Sequence, residues 1–167
     1  MEFELKPLGR DAIPGALEKA ERYRLLNEPG AAESICLDIL LIEPENQAAL
    51  IMLLLAITDQ FDKGLAEYVT RAREVLPRLQ GDYEHAYFAG LICERRAKAQ
   101  MKRGGMGAGR VAYEWFREAM EWYERAEAVR PSGNDDALLR WNSCARRIAG
   151  SSDLRPANDD PFEPMLE

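Results

Sequence analysis

Apolar positions recur at helical spacing from about residue 13 to residue 149, and prolines, glycines and polar turns cut that pattern into seven segments. Leu17, Ala20, Tyr23, Arg24 and Leu25 follow Pro14, a residue suited to a helix's first turn, and predict a first helix to about residue 27. Residues 27–30, Asn-Glu-Pro-Gly, form a turn by composition. A second helix covers 31–42 and stops at Glu43 and Pro44, because proline cannot continue the backbone ladder. Residues 47–59 are apolar almost all round, with Leu50, Ile51, Met52, Leu53, Leu54, Leu55 and Ile57, which predicts a helix sandwiched between neighbours. A fourth helix is expected over 63–76 before Pro77, and a long fifth over 82–103 with Asp82 as its N-cap. The glycine-rich run 104–109 breaks the pattern, and a sixth helix follows over 110–130. Asn134 or Asp135 can cap a seventh, whose stripe is Trp141, Cys144, Ala145 and Ile148. No stretch reads as a strand, so the expected fold is all-α.

Within this pattern one spacing repeats. Ala32, Cys36, Ile39 and Pro44 are spaced as are Ala119, Tyr123, Ala126 and Pro131, and Leu65, Val69, Ala72 and Pro77 keep the same intervals. Internal repeats at such a period signal stacked supersecondary units. With Ala20 and Tyr23, Leu54 and Ile57, and Gly90 and Cys93 in the preceding helices, the pattern resembles the tetratricopeptide repeat (TPR) family.

The resemblance implies a right-handed stack of antiparallel helix pairs. Three repeats would cover about 13–46, 47–80 and 83–133, with a capping helix at 134–149, a short arm at 1–12 and a flexible acidic tail at 150–167. Gly90 and Ala119 are 29 residues apart where Ala20 and Ala32 are 12 apart, so the third repeat carries about 17 extra residues. Arg140, Arg146 and Arg147 are expected on the outward side of the cap, where a terminal repeat must be solvated.

The resemblance also implies a concave face lined by the first helix of each pair, where peptides or partner proteins bind. The family's groove positions fall on Leu17, Glu21, Ile51, Leu55, Tyr87, Leu91, Glu94, Asn142 and Arg146. Family members that clamp a peptide's carboxylate use Lys, Asn and Arg there, and only Asn142 and Arg146 have that character. The remainder suits an apolar or amphipathic segment with some basic character.

Composition narrows the functional classes. In 167 residues the net charge is −7, which disfavours nucleic acid and anionic membranes as partners of the whole body. Cys36, Cys93 and Cys144 sit among apolar neighbours and read as buried thiols in a reducing compartment. The first residues lack a basic start and apolar run, and the apolar stretch 48–58 is too short to span a bilayer, so a cytoplasmic protein is expected.

His85 is the one histidine, and no GxSxG, HExxH or Walker lysine pattern occurs. Neither enzyme nor metal nor cofactor chemistry is therefore expected. Residues 95–110 hold six basic side chains and no acid around the glycine run. Lys102, Arg103 and Arg110 are thus candidate anion contacts, and the alternative function is an RNA- or anion-binding module built on 95–110. Tyr113, Trp115, Phe116, Trp122 and Tyr123 crowd the sixth helix in two adjoining rows, the pattern of a buried stripe. The leading expectation is a non-catalytic interaction scaffold. Homo-oligomerisation is open to it wherever the third or sixth helix stays uncovered. Phe162, Pro164, Met165 and Leu166 give the tail apolar residues with which to dock in a groove.

Overall fold

The computed structural model describes residues 2–157, which form seven α-helices and no strand. They are α1 (Ile13–Leu25), α2 (Pro29–Ile42), α3 (Gln47–Thr58), α4 (Leu65–Val75), α5 (Asp82–Arg103), α6 (Ala108–Ala128) and α7 (Asp136–Ala149). Each packs on its neighbours in sequence, and α1 also touches α3. The tail residues 162–166, singled out above for docking, lie outside the described residues.

Local chemistry sets the ends. Pro29 starts α2, two residues earlier than the apolar pattern suggests, because a proline needs no donor partner in a first turn. Asn46 caps α3 by accepting from the Ala49 N–H at 2.9 Å. Beyond α4 the chain continues as a 3-10 turn, Leu76–Arg78, so Pro77 tightens the helix end rather than simply stopping it. Asp82 is not the cap of α5: Gly81 holds that place, and Asp82 lies in the first turn, where the helix dipole favours its charge. Before α7 Asp135 holds the N-cap position without a side-chain bond, and the neighbouring Asn134 carboxamide oxygen accepts from the Asp136 N–H at 3.0 Å. Two turns are also tied together. Arg78 Nη2 donates to the Pro44 carbonyl at 2.8 Å, and the Gln80 N–H donates to Gln47 Oε1 at 3.0 Å.

The repeated small positions are where helices meet. Ala20, Ala32, Cys36, Ile39, Ala72, Ala119, Tyr123 and Ala126 have no exposed surface, and Val69 and Cys93 almost none. Gly90 shows why a small residue is needed. A Cβ there would stand 2.7 Å from the Tyr123 ring and 3.2 Å from the Ala119 carbonyl oxygen. Alanine in a helix normally gains about 1 kcal/mol over glycine. Here the overlap costs more, because Tyr123 is hydrogen-bonded in place and cannot swing aside. Gly90→Ala is expected to lower stability by about 1–2 kcal/mol, read as a lower denaturation midpoint at unchanged m-value.

The interior falls into two apolar clusters that α5 divides. Phe88, Leu91 and Ile92 join the residues of α1 to α4, whereas Tyr83, Ala86, Cys93 and Ala97 join those of α6 and α7. Phe116 and Tyr123 are wholly buried in the second cluster, with Trp115 and Trp122 at its margin. The aromatic rows of α6 are thus core. Helix α3 sits inside the first cluster with seven buried residues.

Candidate functional site

The odd-numbered helices meet along one face, and two charged hubs join them. The first is Asp59, which ends α3. Arg24, in the last turn of α1, sets Nε 2.5 Å from Asp59 Oδ2 as an ion pair without hydrogen-bond alignment, and its aligned bond runs from Nη2 to Oδ1 at 3.4 Å. From α5, Arg95 Nη1 donates to Asp59 Oδ1 and, at 2.8 Å, to Thr58 Oγ1. A carboxylate at a helix C-terminus is poorly placed by itself. The two guanidinium groups supply the positive charge that this end requires.

The second hub is Glu94, 1% exposed and facing α6 and α7. The Tyr123 hydroxyl donates to Glu94 Oε2 at 2.5 Å, Lys98 pairs with Oε1, and Arg140 Nη1 lies 3.4 Å from both oxygens. Arg140 Nε also donates to the Tyr87 hydroxyl at 2.7 Å. Burial alone would raise the Glu94 pKa, but the bonds from Lys98 and Tyr123 and the charges of Lys98 and Arg140 outweigh it and hold the carboxyl below its ordinary value. Burial, and then the neighbouring Glu94, push the Tyr123 phenol upward, so it stays a donor at any ordinary pH.

Beside the Asp59 hub lies a cleft of about 390 Å³, a size that binding sites use. Asn27, Asp59, Asp62, Lys98 and Lys102 line it, with the buried Phe61 beneath. Both signs of charge therefore face the opening.

The residues expected on this face are partly brought together. Leu17, Ile51 and Leu55 are half-buried against the first cluster, Glu21 is exposed, and Tyr87 is half-buried and stacked on Tyr83 with ring centres 5.6 Å apart. Leu91 is wholly buried and Glu94 is tied up inside, so neither presents surface to a partner. Asn142 borders a separate recess with Glu124, Glu127 and Trp141 of α6 and α7, and Arg146 is exposed. On α7 it is Arg140 that reaches α5, not the solvent side where a capping helix was expected to hold it. Arg24, Asp59 and Arg95 were not singled out by the groove pattern. A carboxylate just after an apolar helix, with arginines on both flanking odd helices, is the signal that could have found them.

The basic stretch 95–110 does not form one patch. Arg95 is bound to Asp59, Lys98 to Glu94, and Arg96 stacks 3.7 Å above the Trp115 ring. Lys102 faces the 390 Å³ cleft, and Arg103 is exposed at the end of α5. Arg110 borders a second cleft, about 580 Å³, around the glycine tip with Asp153 and Arg155. This dispersal weakens the nucleic-acid alternative, which needs an unbroken cationic track.

The expected free tail is also shortened. Leu154 is 4% exposed and belongs to the second cluster, so the chain is held against the body at that point. Gly109 permits this approach: a Cβ there would lie 2.3 Å from the Asp153 carbonyl oxygen. Gly109→Ala must displace that backbone. It is expected to cost about 1–3 kcal/mol and to strip exchange protection from the Leu154 amide, measured by hydrogen exchange.

Burial pushes the thiols of Cys36, Cys93 and Cys144 up to about 12, far from the thiolate form that attacks carbonyls or binds metals. His85 packs edge-on to Trp122 at 6.1 Å. Among the described residues no group of three or more His, Cys, Asp or Glu could hold a metal ion, and no helix is long and apolar enough to cross a membrane. Compared with family models, curated proteins and solved structures, the chain matches none.

Proposed function

We propose that this chain is a TPR-like interaction scaffold of the cytoplasm that binds a peptide or a segment of a partner protein along its odd-helix face, without catalysis. The observation that carries the reading is the open cleft beside the Arg24–Asp59–Arg95 hub, with Arg140–Glu94 bracing α7 against α5 behind it. Burial of the repeated small positions supports the TPR-like stacking, since helix pairs of that family approach through such residues. The hubs satisfy their own charges and serve as a rigid floor. Asp62, Lys102 and Asn27 at the rim remain for a ligand, and their mixed signs suit a peptide carrying both charges.

A photo-crosslinking side chain at Asn27 tests this, with one at the exposed Leu37 of α2 as control. The expected result is a discrete partner captured from Asn27 alone, and lost in the exposed charge reversals Asp62→Lys and Lys102→Glu. Equal capture from both positions, or none beside a reproducible turnover of a metabolite, would sink the reading.

A further inference from the structure

We infer that the cleft at the glycine tip is a docking site for an acidic peptide segment with apolar side chains, and that residues 158–167 of this same chain are its occupant. The site is distinct from the odd-helix cleft and does not depend on the reading of that cleft.

Three observations converge. The first is the cleft itself, about 580 Å³ between the end of α5 and the start of α6. Its walls combine apolar Met101, Met106 and Ala108 with Arg110 and Arg155, and Arg103 stands in the adjoining last turn of α5. Asp153 is the acid among the described lining residues. Gly104, Gly105 and Gly107 take left-handed φ values with open space where a side chain would stand, so a bound chain can approach the backbone closely.

The second is where the chain is clamped. Leu154 is buried in the second cluster, and the Asp153 carbonyl is pressed against Gly109. The polypeptide therefore reaches Arg155 as part of the cleft wall, and residue 158 follows three positions later. Ten further residues can extend at most about 33–36 Å, ample to fold back across the tip. A tether this short gives an effective concentration in the millimolar range, so weak contacts suffice.

The third is complementarity. Residues 158–167 carry Asp159, Asp160, Glu163 and Glu167 and no cation, together with Phe162, Met165 and Leu166. The odd-helix cleft sets two acids, Asp59 and Asp62, among its cations Arg95, Lys98 and Lys102, and it lacks the methionine walls of the tip. The glycine tip offers the opposite sign and apolar surface together.

The consequence is competition: an external acidic partner of the tip must first displace the chain's own segment. Glycine amides in a 1H–15N spectrum make the test direct. A chain ending after Ala157 keeps the Leu154 clamp, and it is expected to shift the amide signals of Gly104, Gly105 and Gly107 while leaving those of α1 and α2 in place. Adding a synthetic peptide of residues 158–167 at millimolar excess should return them toward their full-length positions, and high salt should weaken that return. Replacing Asp159, Asp160 and Glu163 by their amides in the full chain should reproduce the truncation spectrum. Unmoved glycine signals on truncation overturn the inference, as does a shift that the peptide fails to reverse. A perturbation centred on Asn27 and Phe61 would place the segment in the odd-helix cleft instead, and a glycine shift that varies with protein concentration would assign it to a second copy. Either overturns the proposal as stated.

Discussion

Replacing Glu94 by alanine is expected to cost the fold about 3–5 kcal/mol, the largest effect of any single polar substitution in this chain. The reason lies in what remains afterwards. Tyr123 would keep a buried hydroxyl without its acceptor, and Arg140 and Lys98 would lose the anion that offsets their desolvation. Two comparisons separate that penalty from the worth of the network itself. Glu94→Gln keeps an acceptor for Tyr123 and should cost less than alanine. Glu94→Leu combined with Arg140→Met removes both charges while filling their volume, and should recover much of the loss. Urea denaturation of the parent and these three variants reads these differences, with unchanged m-values showing that the folded state is intact.

The same carboxylate sets an acid limit. Its folded pKa lies below the ordinary glutamate value of about 4.3, so the stability it contributes is fully present above that value. It is lost as pH falls through the lower folded pKa. Stability measured from pH 7 to pH 2 should therefore drop below about pH 4 in the parent chain, and less steeply in Glu94→Gln.

Asp59→Ala is expected to be the second most damaging change, at about 2–3 kcal/mol. It leaves Arg24 and Arg95 facing one another across the end of α3 with no anion between them. The effect falls short of Glu94 because these side chains keep about a fifth of their exposure, and water screens what remains. That difference predicts a salt response. Raising ionic strength should narrow the gap between parent and Asp59→Ala, while leaving the Glu94→Ala gap nearly unchanged. Equal responses at the two sites would show that burial does not separate them.

Seven helices were legible because their interruptions are local chemistry. Pro44, Pro77 and Pro131 cannot extend a ladder, and Gly104, Gly105 and Gly107 take φ values that other residues avoid. The core was legible for a related reason: the small positions recur at one spacing and are buried, although Tyr23 of the same pattern is exposed. The odd-helix face was only half legible. Arg140 lies at the edge of the α7 stripe, between buried Ala137 and Cys144, where a charge looks solvent-bound until its partner is known. That partner is Glu94, 46 positions earlier, and periodicity within one helix carries no such information. Asn142 and Arg146 followed from family slots, but the side of α7 that faces α5 is set by Ala137, Arg140 and Cys144. Glu94 had its own signal: one acid among Leu91, Ile92, Cys93 and Ala97, a place where a charge survives only with partners.

Helix α5 belongs to both apolar clusters, and this shapes how the chain comes apart. Linear repeat proteins often fray one unit at a time, because each unit contacts only its neighbours. Here a single 22-residue helix forms one wall of each cluster, and it also supplies Arg95 to one charged hub and Glu94 to the other. Neither half can open at that wall without exposing the other. Loosening should therefore begin at the terminal helices α1 and α7, and the amides of Phe88, Leu91 and Ile92 should exchange only when the whole molecule unfolds. For side chains contributed by separate helices, that unity keeps them in fixed relation.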